Sequence, residues 1–189
     1  MLNIKGSIVA LVTPFNADGS VDYGRIRELV NWHIAEGTDA IVSLGTTGET
    51  PTLTSDECHK IVETTIATAA GRIPVIVGSG SNSTQQMLEK SRTYASMGAD
   101  GLLVISPYYN KANAEGMYRH FATVADAVDC PQILYNVPGR TGCAIPVSVV
   151  EKLSVHPNVA AIKEASGDLS YATAVSRYLN DGFRMYSGN

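Results

Sequence analysis

The sequence predicts an α/β fold built from repeated units of one strand and one helix. Short apolar, β-branched runs recur at intervals of roughly 30 residues. The runs are continuous rather than alternating, as expected for parallel strands whose two faces are both covered by helices. Such repeats form either a closed barrel or an open, doubly wound sheet. The predicted strands are residues 8–12, 40–44, 74–77, 101–105, 132–135, 159–162 and 183–186.

Apolar stripes with helical spacing lie between these runs. Thr54 followed by Glu57 fits a capping box at the start of the second helix. Ser91 interrupts the stripe of the third helix, so its face is the least regular. The predicted helices cover residues 26–34, 58–69, 85–97 and 117–128.

Length and composition restrict the class of protein. The chain has 189 residues, of which 44% are hydrophobic and 17% charged, and this predicts one globular domain over residues 1–189. A net charge of −4 argues against a nucleic-acid partner, and no apolar run is long enough to span a membrane. The start of the chain lacks the pattern of a secretory signal. Three cysteines without CxxC spacing argue against a disulfide framework or a metal site, so we expect a cytoplasmic protein.

Polar side chains follow two of the predicted strands, where parallel α/β folds gather reactive groups. Thr46 and Thr47, flanked by glycines after the second strand, can offer donors to a carboxylate. After the fifth strand, Tyr135 is followed by Arg140 on a Pro-Gly turn, and a guanidinium fork suits a carboxylate. A glycine turn and a solvated arginine would look the same in sequence.

Lys163 directly follows the sixth predicted strand. A lysine at a strand end often extends to water. If it instead points into a barrel mouth, desolvation lowers the pKa of its amine and leaves a nucleophile for a ketone. The resulting iminium would favour carbanion chemistry at the neighbouring carbon.

Five motifs in register resemble the dihydrodipicolinate synthase family of class I, pyruvate-dependent aldolases. The motifs are Gly45-Thr46-Thr47-Gly48-Glu49, Pro107-Tyr108-Tyr109-Asn110, Tyr135-Asn136-Val137-Pro138-Gly139-Arg140-Thr141-Gly142, Ile162-Lys163-Glu164-Ala165 and Ser187-Gly188. The resemblance extends over the whole chain. It implies a (β/α)8 TIM barrel that condenses pyruvate with L-aspartate 4-semialdehyde to 4-hydroxy-tetrahydrodipicolinate, in lysine and diaminopimelate biosynthesis.

The resemblance also implies catalytic roles. Lys163 would form the Schiff base with pyruvate, so that no metal or other cofactor is needed. Tyr135 would donate and accept protons beside it, relayed through the Thr46 hydroxyl to Tyr109. In this family Tyr109 comes from the neighbouring subunit of a homo-oligomer, a dimer of dimers.

Substrate-binding roles follow from the same resemblance. Thr46 and Thr47 would hold the pyruvate carboxylate, and Arg140 would bind the carboxylate of the semialdehyde. Gly188 would make a backbone contact near the site.

The length of the chain is short for a barrel of this class, which usually needs about 250 residues. The chain ends two residues after the seventh predicted strand, so we expect strand eight and a C-terminal helical region to be absent from it. An incomplete barrel exposes strand edges and opens its interior to water, which weakens the desolvation of Lys163. We therefore expect the 189 residues alone to be poorly active or inactive.

Three alternatives remain at this point. N-acetylneuraminate lyases and 2-keto-3-deoxy sugar-acid aldolases use a similar lysine and tyrosine, but lack the Gly-Arg-Thr-Gly segment that contains Arg140. A non-catalytic assembly module could pair with complete subunits through Tyr108 and Tyr109. An open-sheet nucleotide binder is disfavoured because Gly78-Ser79-Gly80 is followed by Ser83 where a third glycine is required.

Overall fold

The computed structural model describes residues 4–188, in which parallel strands alternate with helices along the chain. The strands are β1 (Ile8–Ala10), β2 (Ala40–Ser43), β3 (Val75–Gly78), β4 (Gly101–Ile105), β5 (Gln132–Asn136), β6 (Val159–Glu164) and β7 (Arg184–Ser187). The helices are α1 (Tyr23–Ala35), α2 (Ser55–Ala69), α3 (Thr84–Ser96), α4 (Ala114–Ala127), α5 (Pro138–Thr141), α6 (Val147–Leu153) and α7 (Leu169–Ser176).

All seven predicted strands and all four predicted helices are confirmed. The capping box is present, with the Thr54 hydroxyl accepting from the Glu57 N–H and the Glu57 carboxylate accepting from the Thr54 N–H. Strands β5 and β6 extend further than predicted, so that Asn136, Lys163 and Glu164 lie within them. The sequence analysis missed α5, α6 and α7, because helices of 4, 7 and 8 residues are too short to show a full apolar stripe.

The described residues fall into two compact units, of which the first comprises residues 4–78 and 94–101. Within this amino-terminal unit, β1, β2 and β3 pair in that order and in parallel. All four residues of β2 are buried, as are the first three of β3. The carboxylate of Asp100 accepts the N–H of Val75 at 2.8 Å, which fixes the start of β3. The unit therefore has its own apolar core.

The carboxy-terminal unit comprises residues 79–93 and 102–188. Its strands β4, β5, β6 and β7 pair in order and in parallel. The irregular position in α3, Ser91, is fully buried here and donates its hydroxyl to Ser79 at 2.9 Å. That hydrogen bond explains why a polar residue lies in the apolar stripe. The prediction of one domain over residues 1–189 stays a prediction.

Within residues 4–188, every helix is too short or too polar to cross a membrane.

Candidate active site

Lys163 lies opposite Tyr135 across two neighbouring strands. The register of β5 and β6 pairs the two residues directly, and the Nζ of Lys163 lies 4.5 Å from the centre of the Tyr135 ring. Lys163 is half-buried and Tyr135 is buried. Burial lowers the pKa of the Lys163 amine, because desolvation disfavours the ammonium form. A larger fraction of the amine is therefore a neutral nucleophile than in a solvated lysine.

Gly188 packs against the stem of Lys163. Its N–H donates to the carbonyl of Glu164 at 2.7 Å. A Cβ at position 188 would lie 2.7 Å from the Cε of Lys163 and 2.8 Å from the Cβ of Ala165, closer than carbon atoms approach. A side chain at position 188 would therefore displace the Lys163 side chain or Ala165, a consequence that the resemblance did not supply.

A buried amide and a buried carboxylate follow Tyr135 and Lys163 on the same two strands. Asn136 pairs with Glu164 in the register, and its Nδ2 donates to the Glu164 Oε2 at 2.7 Å. Neither residue is more than 8% exposed. The Asn136 Oδ1 accepts the N–H of Ile145 at 2.9 Å, and the Glu164 Oε1 accepts the N–H of Ser166 at 2.6 Å. The sequence analysis quoted both residues within motifs but assigned them no role.

Tyr171 of α7 extends this network. Its phenol donates to the carbonyl of Ile145 at 2.6 Å. Burial, and then the charge of Glu164, raise the pKa of the Tyr171 phenol above its ordinary value of 10.0. The phenol is therefore a permanent hydrogen-bond donor at neutral pH.

Arg140 lies on α5, the short helix that follows β5. Pro138 begins this helix, and Gly142 ends it with a φ of +73°, which glycine adopts without strain. Thr141 is buried and donates its hydroxyl to the carbonyl of Cys143 at 2.7 Å, whereas Arg140 is exposed. The turn is anchored while its guanidinium reaches solvent.

Tyr109 lies in the loop after β4 and is 88% exposed. Its φ of +72° is unusual for a residue with a side chain. The neighbouring Asn110 donates its Nδ2 to the carbonyl of Asn82 at 3.0 Å, which ties the loop to the segment before α3. The chain thus displays a phenol at its surface, at the residue expected to act in a neighbouring subunit.

Thr46 and Thr47 belong to the amino-terminal unit, in a short 3-10 helix after β2. Both are exposed. The Thr13 hydroxyl donates to the carbonyl of Gly48 at 2.7 Å, and the Thr50 hydroxyl donates to the carbonyl of Gly45 at 3.1 Å. These bonds hold the ends of the segment and leave its two threonine side chains at the surface.

The backbone of this segment is strained at its two ends. Leu44 and Glu49 both have a φ of +55°. The Leu44 carbonyl points at Gly78, where any Cβ would collide with it. The segment therefore depends on a glycine from the neighbouring strand.

The structure brings together three of the seven predicted site residues, namely Lys163, Tyr135 and Gly188. It places Arg140, on α5, and Tyr109, in the loop after β4, at exposed positions of the same unit. The catalytic and binding roles of all seven stay predictions. Among residues 4–188, no three histidine, cysteine or acidic side chains are grouped so that they could hold a metal ion.

Comparisons with known proteins agree on one family. A model of the family described as "Dihydrodipicolinate synthetase family" matches residues 3–189. A 4-hydroxy-tetrahydrodipicolinate synthase of Alcanivorax borkumensis is 52% identical over 98% of this chain, and that of Pseudomonas aeruginosa is 49% identical over 98%. The chain spans only 63% and 64% of the length of these two relatives.

Solved structures give the same result for the fold. A dihydrodipicolinate synthase from Bacillus anthracis matches with a TM-score of 0.97 at 41% identity, over all of this chain and 65% of that one. The chloride-inhibited enzyme from Acinetobacter baumannii, complexed with pyruvate, matches with a TM-score of 0.95 at 45% identity, over 98% of this chain and 64% of that one. The predicted (β/α)8 fold class is confirmed, with seven strands among the residues described here.

Proposed function

Because the chain belongs to the dihydrodipicolinate synthetase family, we propose that a protein carrying it condenses pyruvate with L-aspartate 4-semialdehyde. The reaction proceeds through a Schiff base on Lys163. The observation that carries the proposal is the half-buried Lys163 amine beside the Tyr135 ring, at the carboxyl ends of β5 and β6.

The covalent chemistry follows from the neutral amine. Lys163 adds to the carbonyl carbon of pyruvate, and loss of water leaves an iminium. The iminium withdraws electrons, so a proton leaves the methyl carbon and an enamine forms. The enamine carbon then attacks the aldehyde carbon of the semialdehyde. Attack of the semialdehyde's own amine on the imine carbon releases Lys163 and closes the six-membered ring.

Proton transfer is the proposed task of Tyr135. Its buried ring lies next to Lys163, within the site where water is lost and a hydroxyl forms. A phenol shuttles protons near neutral pH only with an aligned partner. We assign that relay to Thr46 and to Tyr109 of a neighbouring copy in a homo-oligomer, and the 88% exposure of Tyr109 supports its use outside its own chain.

Carboxylate recognition is assigned to the two anchored loops. Thr46 and Thr47 present exposed hydroxyls on a fixed backbone and would hold the pyruvate carboxylate. Arg140 projects from α5 and would bind the carboxylate of the semialdehyde as a two-pronged donor. No metal or organic cofactor takes part in this scheme. We place the reaction in the cytoplasm.

The choice of aldehyde tests the proposal. Purified full-length protein carrying this sequence is incubated with pyruvate and either L-aspartate 4-semialdehyde or N-acetylmannosamine, and the products are identified by mass spectrometry. We expect 4-hydroxy-tetrahydrodipicolinate from the first mixture and no product from the second. Condensation with the sugar alone would contradict the proposal and identify a sugar-acid aldolase.

A conservative variant sharpens the test. Arg140→Lys keeps the charge but loses the fork, so we expect the KM for the semialdehyde to rise about tenfold or more while the KM for pyruvate is unchanged. Arg177→Lys, at an exposed position after α7, is the matched control and should change neither constant.

A further inference from the structure

The pair formed by Asn136 and Glu164 has no role in the chemistry above, yet it directly follows Tyr135 and Lys163 on β5 and β6. Side chains alternate along a strand, so Asn136 and Glu164 point away from the face that carries Tyr135 and Lys163. Their hydrogen bond of 2.7 Å joins the carboxyl ends of the two strands behind the reacting groups.

All of the terminal nitrogen and oxygen atoms of this pair have a hydrogen-bond partner. Besides each other, Asn136 accepts from Ile145 and Glu164 accepts from Ser166. The backbone adds two more ties, because the Ala165 N–H donates to the carbonyl of Asn136 at 2.9 Å and the Gly188 N–H donates to that of Glu164 at 2.7 Å. Neighbouring segments are thereby fixed to one buried point.

The bond from Ile145 to Asn136 has a specific geometrical effect. It closes the loop from residue 137 to residue 144 at its base, and this loop carries Arg140. The same pair therefore lies between the loop that carries Arg140 on one side and the strand ends that carry Lys163 and Tyr135 on the other. A displacement of about 1 Å at such a site can cost on the order of 100-fold in rate.

We propose that Asn136 and Glu164 are positioning residues for the aldol reaction. They act through their mutual hydrogen bond, and neither touches substrate. This inference rests on the proposed function. It assigns the effect to the donor and acceptor pattern of the pair, and not to which of the two positions holds the negative charge.

The donor and acceptor pattern allows a sharp test. In Glu164→Gln, the new NH2 group faces either the Asn136 NH2 or, if the introduced amide turns over, the Ser166 N–H. If Asn136 turns over instead, its NH2 faces the Ile145 N–H. In Asn136→Asp, two carboxylates face each other at hydrogen-bond distance.

The double exchange, Asn136→Asp together with Glu164→Gln, restores every bond. The amide introduced at position 164 donates its NH2 to the carboxylate introduced at position 136, and its oxygen accepts from Ser166. The carboxylate at position 136 accepts from Ile145 as the asparagine did. The exchange therefore moves the charge between the strands and keeps the pattern.

The experiment compares the native protein, both single variants and the exchange variant in full-length protein. We expect each single variant to lower kcat at least about tenfold and to raise the KM for the semialdehyde, and the exchange to return both to within about threefold. Glu115→Gln is the matched control, since Glu115 is exposed and its carboxylate bonds Arg119 at 2.7 Å. It should leave kcat and KM unchanged.

Three outcomes would overturn the inference. Single variants with native kcat and KM but a lower melting temperature would show a purely structural role. An exchange variant that regains the native melting temperature but not kcat would show that the position of the charge matters. A native protein that is not labelled on Lys163 by pyruvate and borohydride would refute the proposed function itself, and the inference with it. Labelled native protein together with unaffected variants would refute only the positioning role.

Discussion

Two regions at the carboxyl ends of parallel strands carry most of the proposed site residues, and they are held in different ways. The segment after β2 is held through its backbone, by two residues with φ of +55° and by hydroxyl-to-carbonyl bonds at its ends. The ends of β5 and β6 are held through buried side chains, by the bond between Asn136 and Glu164. The first arrangement exposes Thr46 and Thr47, whereas the second keeps Tyr135 buried and Lys163 half-buried.

The difference matches what each region is proposed to do. Groups that bind a carboxylate need to reach the ligand and can stay solvated until it arrives. A lysine that attacks a ketone needs to be shielded from water, because its amine must be uncharged to react. Burial lowers the pKa of Lys163 and so favours the uncharged amine. Backbone strain is thus found where side chains must be exposed to a ligand, and side-chain burial where an amine must be reactive.

The largest effect is expected in the buried region, at the carboxyl ends of β5 and β6. Tyr135→Phe removes the proton-transferring hydroxyl and keeps the packing ring, so kcat should fall by about 10² to 10⁴ while the melting temperature changes little. Steady-state kinetics and thermal unfolding measure both. Tyr94→Phe, a buried tyrosine of the amino-terminal unit, is the control and should keep native turnover. Unchanged kcat in the Tyr135 variant would exclude it from the mechanism.

The second-largest effect is expected at Gly188, which packs closely against Lys163. Gly188→Ala puts a methyl group 2.7 Å from the Cε of Lys163, so the lysine must move and we expect kcat to fall by about 100-fold. The rate of borohydride trapping with pyruvate should fall with it. Gly116→Ala, in α4, approaches the tip of the Asn113 side chain at 3.3 Å and should keep the native rate. Native trapping in the Gly188 variant would show that the contact does not position the amine.

Burial acts on a second basic group of the carboxy-terminal unit, His120, in the same direction as on Lys163. Burial lowers the pKa of His120 to about 4 from an ordinary value of 6.5. The folded state therefore binds fewer protons than the unfolded state, and its stability is full above about pH 6.5 and is lost as the pH falls toward 4. We expect the free energy of unfolding to drop by about 2 kcal/mol between about pH 7 and pH 5 from this group.

The variant His120→Asn isolates that contribution. It keeps a polar atom for the Thr84 hydroxyl, which lies 2.8 Å from the Nδ1 of His120, but cannot be protonated. Urea unfolding at both pH values should show a smaller loss in the variant than in the native protein. An equal loss in both would mean that burial does not control this histidine.

The smallest effect is expected in the backbone-held loop. Glu49 is exposed and has a φ of +55°, so Glu49→Gly should relieve strain and raise the free energy of unfolding by about 0.5–1 kcal/mol. Glu36→Gly, at a φ of −83°, is the matched control and should lower stability instead. Destabilisation by both glycines would show that the loop after β2 is not strained.

The strands and the main helices could be predicted from the sequence because parallel strands covered on both faces leave continuous apolar runs. The position of Lys163 at a strand end indicated an amine nucleophile, whereas the role of Tyr135 came from the resemblance to the family, and both roles stay predictions. The bond between Asn136 and Glu164 could not, since that contact depends on the register of β5 against β6, which no local pattern encodes. The close packing at Gly188 could not be predicted for the same reason, because the atoms that a side chain there would contact belong to Lys163 and Ala165.

The site of pyruvate attachment tests the central claim most directly. Full-length protein carrying this sequence is treated with pyruvate and borohydride, and the modified peptide is located by mass spectrometry, with Lys163→Arg and the exposed Lys152→Arg treated in parallel. We predict one reduced pyruvate per chain, on Lys163, retained in the Lys152 variant and absent from the Lys163 variant. Labelling of another lysine, or labelling that survives Lys163→Arg, would contradict the account.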